Sequence, residues 1–262
     1  MLEAGRYFLR KQQRSTGVSD SELIKIAVKS MGLDELHPFD PGEKIIEYSM
    51  RDRDEKRLAD LTVKGFMEET ASESPAPGGG SVSACMGALG AALATMVANL
   101  SAHKRGWDDR WEEFSDWAEK GKSIQEKLLL LVDEDTRAFN AILAAFRMPK
   151  GTHEEKEQRK SAIQKATIHA IRVPYEVMNT AFQGYEVAEA MVRNGNPGSV
   201  TDAGVGALAL HAGIEGSWLN VRINAAEVKQ LLEVQEILAS GEDLLKRSQE
   251  MKTRVMDLIR IA

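Results

Sequence analysis

One carboxylate, Asp135, falls in the middle of an otherwise apolar helical face. On a wheel at about 100° per residue, Leu128, Leu131, Val132, Phe139, Ile142 and Phe146 cluster on one side, and Asp135 points with them. Asp133, Glu134, Arg137 and Asn140 point elsewhere, and the two acids among them read as solvated surface. A carboxylate among apolar neighbours is costly unless it is partnered or used. Desolvation also raises its pKa, which suits a general acid or base. Asp135 either bonds a neighbouring helix end or moves protons in a site.

The run Ser74-Pro75-Ala76-Pro77-Gly78-Gly79-Gly80-Ser81 is the second feature with chemical potential. Two prolines stiffen the approach, and three glycines free the backbone for positive φ and for close contact. Ser81 stands where a helix N-cap belongs. The expected product is a cradle of backbone N–H groups that accepts an anion or a polar ring edge. At Arg147-Met148-Pro149-Lys150, the two cations either complement a helix dipole or grip an anionic tail, Arg147 in bidentate fashion. Further on, Asp202, Gly206, Ala209, Gly213, Ser217, Asn220 and Asn224 share one helical face. Its glycines suit close packing; its asparagines either satisfy buried groups or read a heteroaromatic ring.

Helices must position these groups, because the apolar period is helical throughout and no alternating β-branched run argues for a sheet. Ser19-Asp20 caps a short helix that stops at Gly32, and Pro38 and Pro41 mark an irregular connector. The charged run from Arg51 to Arg57 looks solvated, and a short amphipathic helix covers about 60–71. In the helix that follows, Val82, Met86, Leu89, Leu93, Met96 and Leu100 form a bulky stripe, expected in a core. Ser83, Gly87, Gly90, Ala94, Ala98 and Ser101 form a small stripe that admits another backbone. Long helices follow at about 108–146 and 154–193, the second kinked or broken at Pro174. Asn194 to Gly198 is a turn, Ser199-x-x-Asp202 opens the next helix as a capping box, and a last helix spans about 225–261. Short connections between long helices give an all-α, antiparallel multi-helix bundle.

Composition narrows the function classes. A net charge of -6 over 262 residues does not favour nucleic acid, so any anionic ligand needs a local basic patch. The single cysteine, Cys85, excludes an intramolecular disulfide, and no Cys/His spacing spells a metal site; a reducing, cytoplasmic setting is expected. No signal peptide is evident at the start. Residues 82–102 carry no charge and approach the length of a membrane span. Their Ala, Gly, Ser and Thr content suits a buried helix of a soluble bundle instead, so no membrane partner is expected.

Five motifs together resemble the formimidoyltetrahydrofolate cyclodeaminase family and the related methenyltetrahydrofolate cyclohydrolases. They are Pro75 to Ser81, Asp133-Glu134-Asp135 with Phe139, Phe146 to Lys150, Gly195-Asn196 with Asp202, and Asn220-Val221-x-Ile223-Asn224. Residues 1–59 are similar instead to the tail and linker of the formimidoyltransferase half of the fused enzyme, without that half's catalytic centre. The division expected is therefore a leader over 1–59, without transferase activity of its own, and a cyclodeaminase-like domain over 60–262.

The resemblance implies a helical bundle that dimerises, a folate in a cleft between helices, and no cofactor beyond that folate. It implies Asp135 as catalytic aspartate, and Pro77, Gly78, Gly79, Gly80, Ser81, Arg147, Lys150, Asn196, Asp202, Asn220 and Asn224 as substrate-binding residues. The implied reaction closes the ring of 5-formimidoyltetrahydrofolate to the 5,10-methenyl form and releases ammonia, as in histidine degradation. Alternatives are methenyltetrahydrofolate cyclohydrolysis in the same cleft, or a non-catalytic oligomerisation module built on the small stripes. A formimidoyltransferase half is a further implied partner.

Overall fold

The computed structural model describes residues 1–50 and 57–259; most of the charged run, and the end of the expected last helix, lie outside the described residues. A leader contains α1 (Leu2–Lys11), α2 (Asp20–Ser30) and two single-turn helices, α3 (Pro41–Lys44) and α4 (Ile46–Ser49). After α5 (Val63–Thr70) come five long helices: α6 (Gly79–Ala102), α7 (Trp111–Arg147), α8 (His153–Asn194), α9 (Val200–Ala225) and α10 (Leu232–Leu258). Among the described residues there is no strand.

Helix α6 is the centre of the bundle, packed on α7, α8 and α9, while α10 packs on α8 and α9. It is long and apolar enough to cross a membrane, and 61% of its most apolar stretch is buried by the other helices. Its two stripes are inverted relative to expectation. Ala84, Ala91, Ala94 and Ala98 are buried, whereas Leu89 is 59% and Leu100 46% exposed. The reason is backbone proximity. A Cβ on Gly90 would lie 2.7 Å from the carbonyl oxygen of Gly206, and one on Gly213 would lie 2.8 Å from that of Ser83. Small residues let α6 and α9 close to this distance, so the bulky side chains turn outward.

Three other expectations need correcting. Pro174 does not break α8, which runs unbroken from His153 to Asn194. Ser199 makes no side-chain cap to α9; the capping box belongs to Thr152 and Glu155 at the start of α8. The last helix begins only at Leu232, after a break that follows Ala225.

The leader is fastened to the bundle by its first loop. The Thr16 N–H donates to Ser115 Oγ at 3.0 Å, Asn99 Nδ2 donates to the Gly17 carbonyl at 2.9 Å, and Lys122 Nζ reaches Asp20 at 2.6 Å. Helix lengths then decide where a cleft forms. Helices α7 and α8, with 37 and 42 residues, outrun α6 and α9, with 24 and 26. Where the α7–α8 hairpin projects past the start of α6 and the end of α9, apolar faces of the long helices lose their cover.

Candidate active site

That opening is a cleft of about 220 Å³, too small to enclose a drug-sized ligand whole. One wall is the loop Pro75–Ala76 and the start of α6 at Gly78, Gly79 and Gly80. A second is α7, through Asp135, Thr136, Phe139 and Ile142, and a third is Ala170 of α8 with Asn220 and Asn224 of α9. Phe139 and Phe146, on the apolar face that holds Asp135, are 36% and 50% exposed because α6 ends before reaching them. Among the described residues that line the cleft, Asp135 is the one ionisable side chain.

Asp135 is held by the first turn of α6. Ser81 Oγ donates to Asp135 Oδ2 at 3.0 Å, and its backbone N–H also reaches the carboxylate. Thr136 Oγ1 lies 3.2 Å from the same Ser81 hydroxyl. The carboxylate thus serves one of the unpaired N–H groups at the helix start, where a negative charge is favoured. Burial nevertheless prevails: desolvation raises the Asp135 pKa above its ordinary value, and the two bonds from Ser81 offset only part of the rise. Asp135 therefore bonds a helix end and also faces the cleft.

The glycine run works differently from expectation. Gly78 is the N-cap with extended backbone, and none of the three glycines has positive φ. Close approach explains the third of them. A Cβ on Gly80 would lie 2.5 Å from Asp135 Cγ, so the carboxylate occupies the space that a side chain would fill. Ser81 is inside the helix rather than its cap, wholly buried behind Asp135. It positions the carboxylate and does not line the cleft. Pro77 is likewise buried, while its neighbours Pro75 and Ala76 form the wall.

Of the remaining candidates, Asn220 and Asn224 stand in the cleft. Asn220 Nδ2 donates to the Gly216 carbonyl at 2.9 Å and Asn224 Nδ2 to that of Ala170 at 2.8 Å. Arg147 and Lys150 do not line it. They are exposed at and beyond the end of α7, with Arg147 about 18 Å past Asp135 by helical rise. Asn196 and Asp202 are at the far end of α9. Asp202 is about 27 Å from Asn220 along the helix, and Asn196 bonds Ser101 Oγ and the Gly198 N–H. A shared helical face spans the whole helix, but only its last turns reach the cleft.

Sequence reasoning missed two residues here. Thr136 follows Asp135 directly and carries a hydroxyl, a signal that was available. Asp133, read as solvated, is buried: Leu58 N–H donates to its Oδ1 at 2.6 Å, and Arg57 Nε lies 3.6 Å from its Oδ2. Arg57 accordingly does not belong to a solvated charge run. Glu134 is on the surface with His169 and Arg137. Among the described residues no group of three or more His, Cys, Asp or Glu side chains is placed to hold a metal ion.

Residues 62–243 match the sequence profile described as formiminotransferase-cyclodeaminase, and residues 1–51 match that of the formiminotransferase domain. The chain is 36% identical to the formimidoyltransferase-cyclodeaminase of Mus musculus over 229 residues, 87% of this chain and 42% of that protein. It therefore spans less than half the length of this bifunctional relative. It is 32% identical to the methenyltetrahydrofolate cyclohydrolase of Methylorubrum extorquens, over 76% of this chain and 96% of that one. Among solved structures, the formiminotetrahydrofolate cyclodeaminase of Thermotoga maritima superposes with a TM-score of 0.68 at 27% identity, covering 78% of this chain and 98% of that chain.

Proposed function

The chain belongs to the formiminotransferase-cyclodeaminase family, and from that premise we propose that it converts 5-formimidoyltetrahydrofolate to 5,10-methenyltetrahydrofolate with release of ammonia. One observation carries the reading. A single desolvated carboxylate faces a cleft whose described lining holds no basic side chain, a setting that favours a cationic reaction centre.

The substrate's formimidoyl group is a cationic amidine on N5. Attack by N10 on its carbon forms the new C–N bond and leaves the proton on N10. Asp135 takes that proton and returns it to the exocyclic nitrogen, which departs as ammonia as its C–N bond breaks. The positive charge remains on the N5–C–N10 bridge, so the balance is one cation in and one cation plus ammonia out. A carboxyl whose pKa is raised towards neutrality exchanges the proton in both directions more readily than an ordinary aspartate. Ser81 keeps the carboxylate oriented, Gly80 leaves room for it, and the exposed Gly78 and Gly79 let the ring approach the helix start. The cleft accommodates the ring system, and the tail would extend along α7 towards Arg147 and Lys150, whose charges suit its carboxylates.

The division into a leader over 1–59 and a helical domain over 60–262 belongs to the same reading, as does a cytoplasmic setting. The assay is direct: purified protein is mixed with 5-formimidoyltetrahydrofolate while methenyl absorbance and ammonia are followed together. Equal amounts of both support the proposal; no ammonia from this substrate, together with hydrolysis of methenyltetrahydrofolate supplied in a parallel assay, would make the chain a cyclohydrolase, like its Methylorubrum relative.

A second copy of the chain is the partner that the surface favours. The outward stripe of α6 continues onto α9 through Leu219 and Ile223, 60% and 71% exposed, and α6 carries no charge along its length. An uncharged face of this kind suits self-complementary pairing about a two-fold axis. Sedimentation is expected to give a dimer or larger assembly, and Leu89→Glu to halve its mass. A wild-type monomer at micromolar concentration would remove the pairing.

A further inference from the structure

We infer that Pro174 is a positioning residue for the cleft: by deleting one backbone N–H from α8, it frees the Ala170 carbonyl to hold Asn224 with its amide oxygen turned to the ligand. In an uninterrupted helix the Ala170 carbonyl would accept from the N–H of residue 174, and proline has none. Helix α8 nevertheless passes through a buried Pro174 without ending. The vacant acceptor is taken by α9, since Asn224 Nδ2 donates to it at 2.8 Å. Proline inside a helix is ordinarily a defect. Here the defect supplies the anchor for a side chain of the cleft.

The bond also settles which way Asn224 points. A carbonyl only accepts, so the NH₂ end of the amide must face Ala170, and Oδ1 is the end left for the cleft. One turn earlier, Asn220 spends its Nδ2 on the Gly216 carbonyl in the same manner. With the Asp135 carboxylate, the two amide oxygens give the cleft three side-chain groups that face it as acceptors alone, beside the Thr136 hydroxyl. Such a site selects a ring edge that carries N–H donors, which on the function proposed above is the reduced amino-pterin. A site built to accept such bonds rejects analogues that lack the donor.

The test uses the full chain, with a stable N5-formyl tetrahydrofolate as probe. Pro174→Ala restores the N–H at 174, so the Ala170 carbonyl returns to its own helix and Asn224 loses its anchor. Probe affinity is expected to fall about tenfold, the worth of one hydrogen bond, without a lower thermal midpoint. Asn224→Ala should cost a similar factor, and the double variant no more than Asn224→Ala alone. Wild-type affinity in Pro174→Ala, or losses that multiply in the double variant, would overturn the inference. Asn224→Asp supplies an arm independent of folate binding. Its carboxylate would face the freed carbonyl, so it should melt below Asn224→Ala, and adding Pro174→Ala should restore the difference. Failure of the wild type to bind the probe would defeat the proposed function, and the melting arm would still decide the role of Pro174. Equal melting of the Asp and Ala variants would overturn it.

Discussion

Replacing Asp135 with Asn is expected to lower kcat for ammonia release by about 10²–10⁴-fold, the usual contribution of a general acid–base group. Substrate affinity should change far less, because the cleft's shape and its asparagines remain. The same substitution is expected to leave the fold at least as stable at neutral pH. The sign follows from the carboxyl's raised folded-state pKa. As pH climbs from the unfolded to the folded value, the unfolded chain releases its proton first, so stability falls across that interval and stays lower above it. Asparagine does not titrate and escapes this loss. A variant that loses turnover while keeping its thermal midpoint would separate a working carboxylate from a merely structural one. Unchanged turnover would remove Asp135 from the mechanism.

Gly80→Ala is expected to cost about 10²-fold in kcat without changing any group that titrates. The added methyl would lie 2.5 Å from Asp135 Cγ, so the carboxylate must leave its place against the α6 terminus. Displacement of a reacting group by about 1 Å is enough for a loss of that size. Because both substitutions act through one carboxylate, their effects should not multiply: Gly80→Ala placed in an Asp135→Asn background should reduce turnover little further. Multiplying losses would show that Gly80 serves the ligand by some other route. Steady-state kinetics of the two single variants and the double variant suffice.

The helical architecture and the special position of Asp135 were legible in the sequence because both are local. A carboxylate breaking an apolar period is visible on one turn of a wheel, and the uncharged run of α6 is visible as composition. What depended on distant partners was not. Both stripes of α6 are free of charge, so periodicity separated two faces but gave no sign of which one met α9; that was decided by Gly90 and Gly206, more than a hundred residues apart. Asp133 looks solvated until Leu58 and Arg57 are brought to it. Pro174 looks like a break until Asn224 arrives at the carbonyl it frees. Asn196 and Asp202 show the limit of a shared face, since only the end of α9 with Asn220 and Asn224 borders the cleft. Helical rise applied to that stripe would have separated them beforehand.

The central claim is that a half-buried carboxylate meets positive charge in the cleft. Its most direct test is the ¹³C NMR titration of the Asp135 carboxyl, assigned by its loss in Asp135→Asn, in free protein and with methenyltetrahydrofolate bound. The expected midpoint of the free protein is above the ordinary aspartate value, as burial dictates, and the bound cation should draw it back down. An ordinary midpoint that ignores the ligand would contradict the assignment of this aspartate to the reaction.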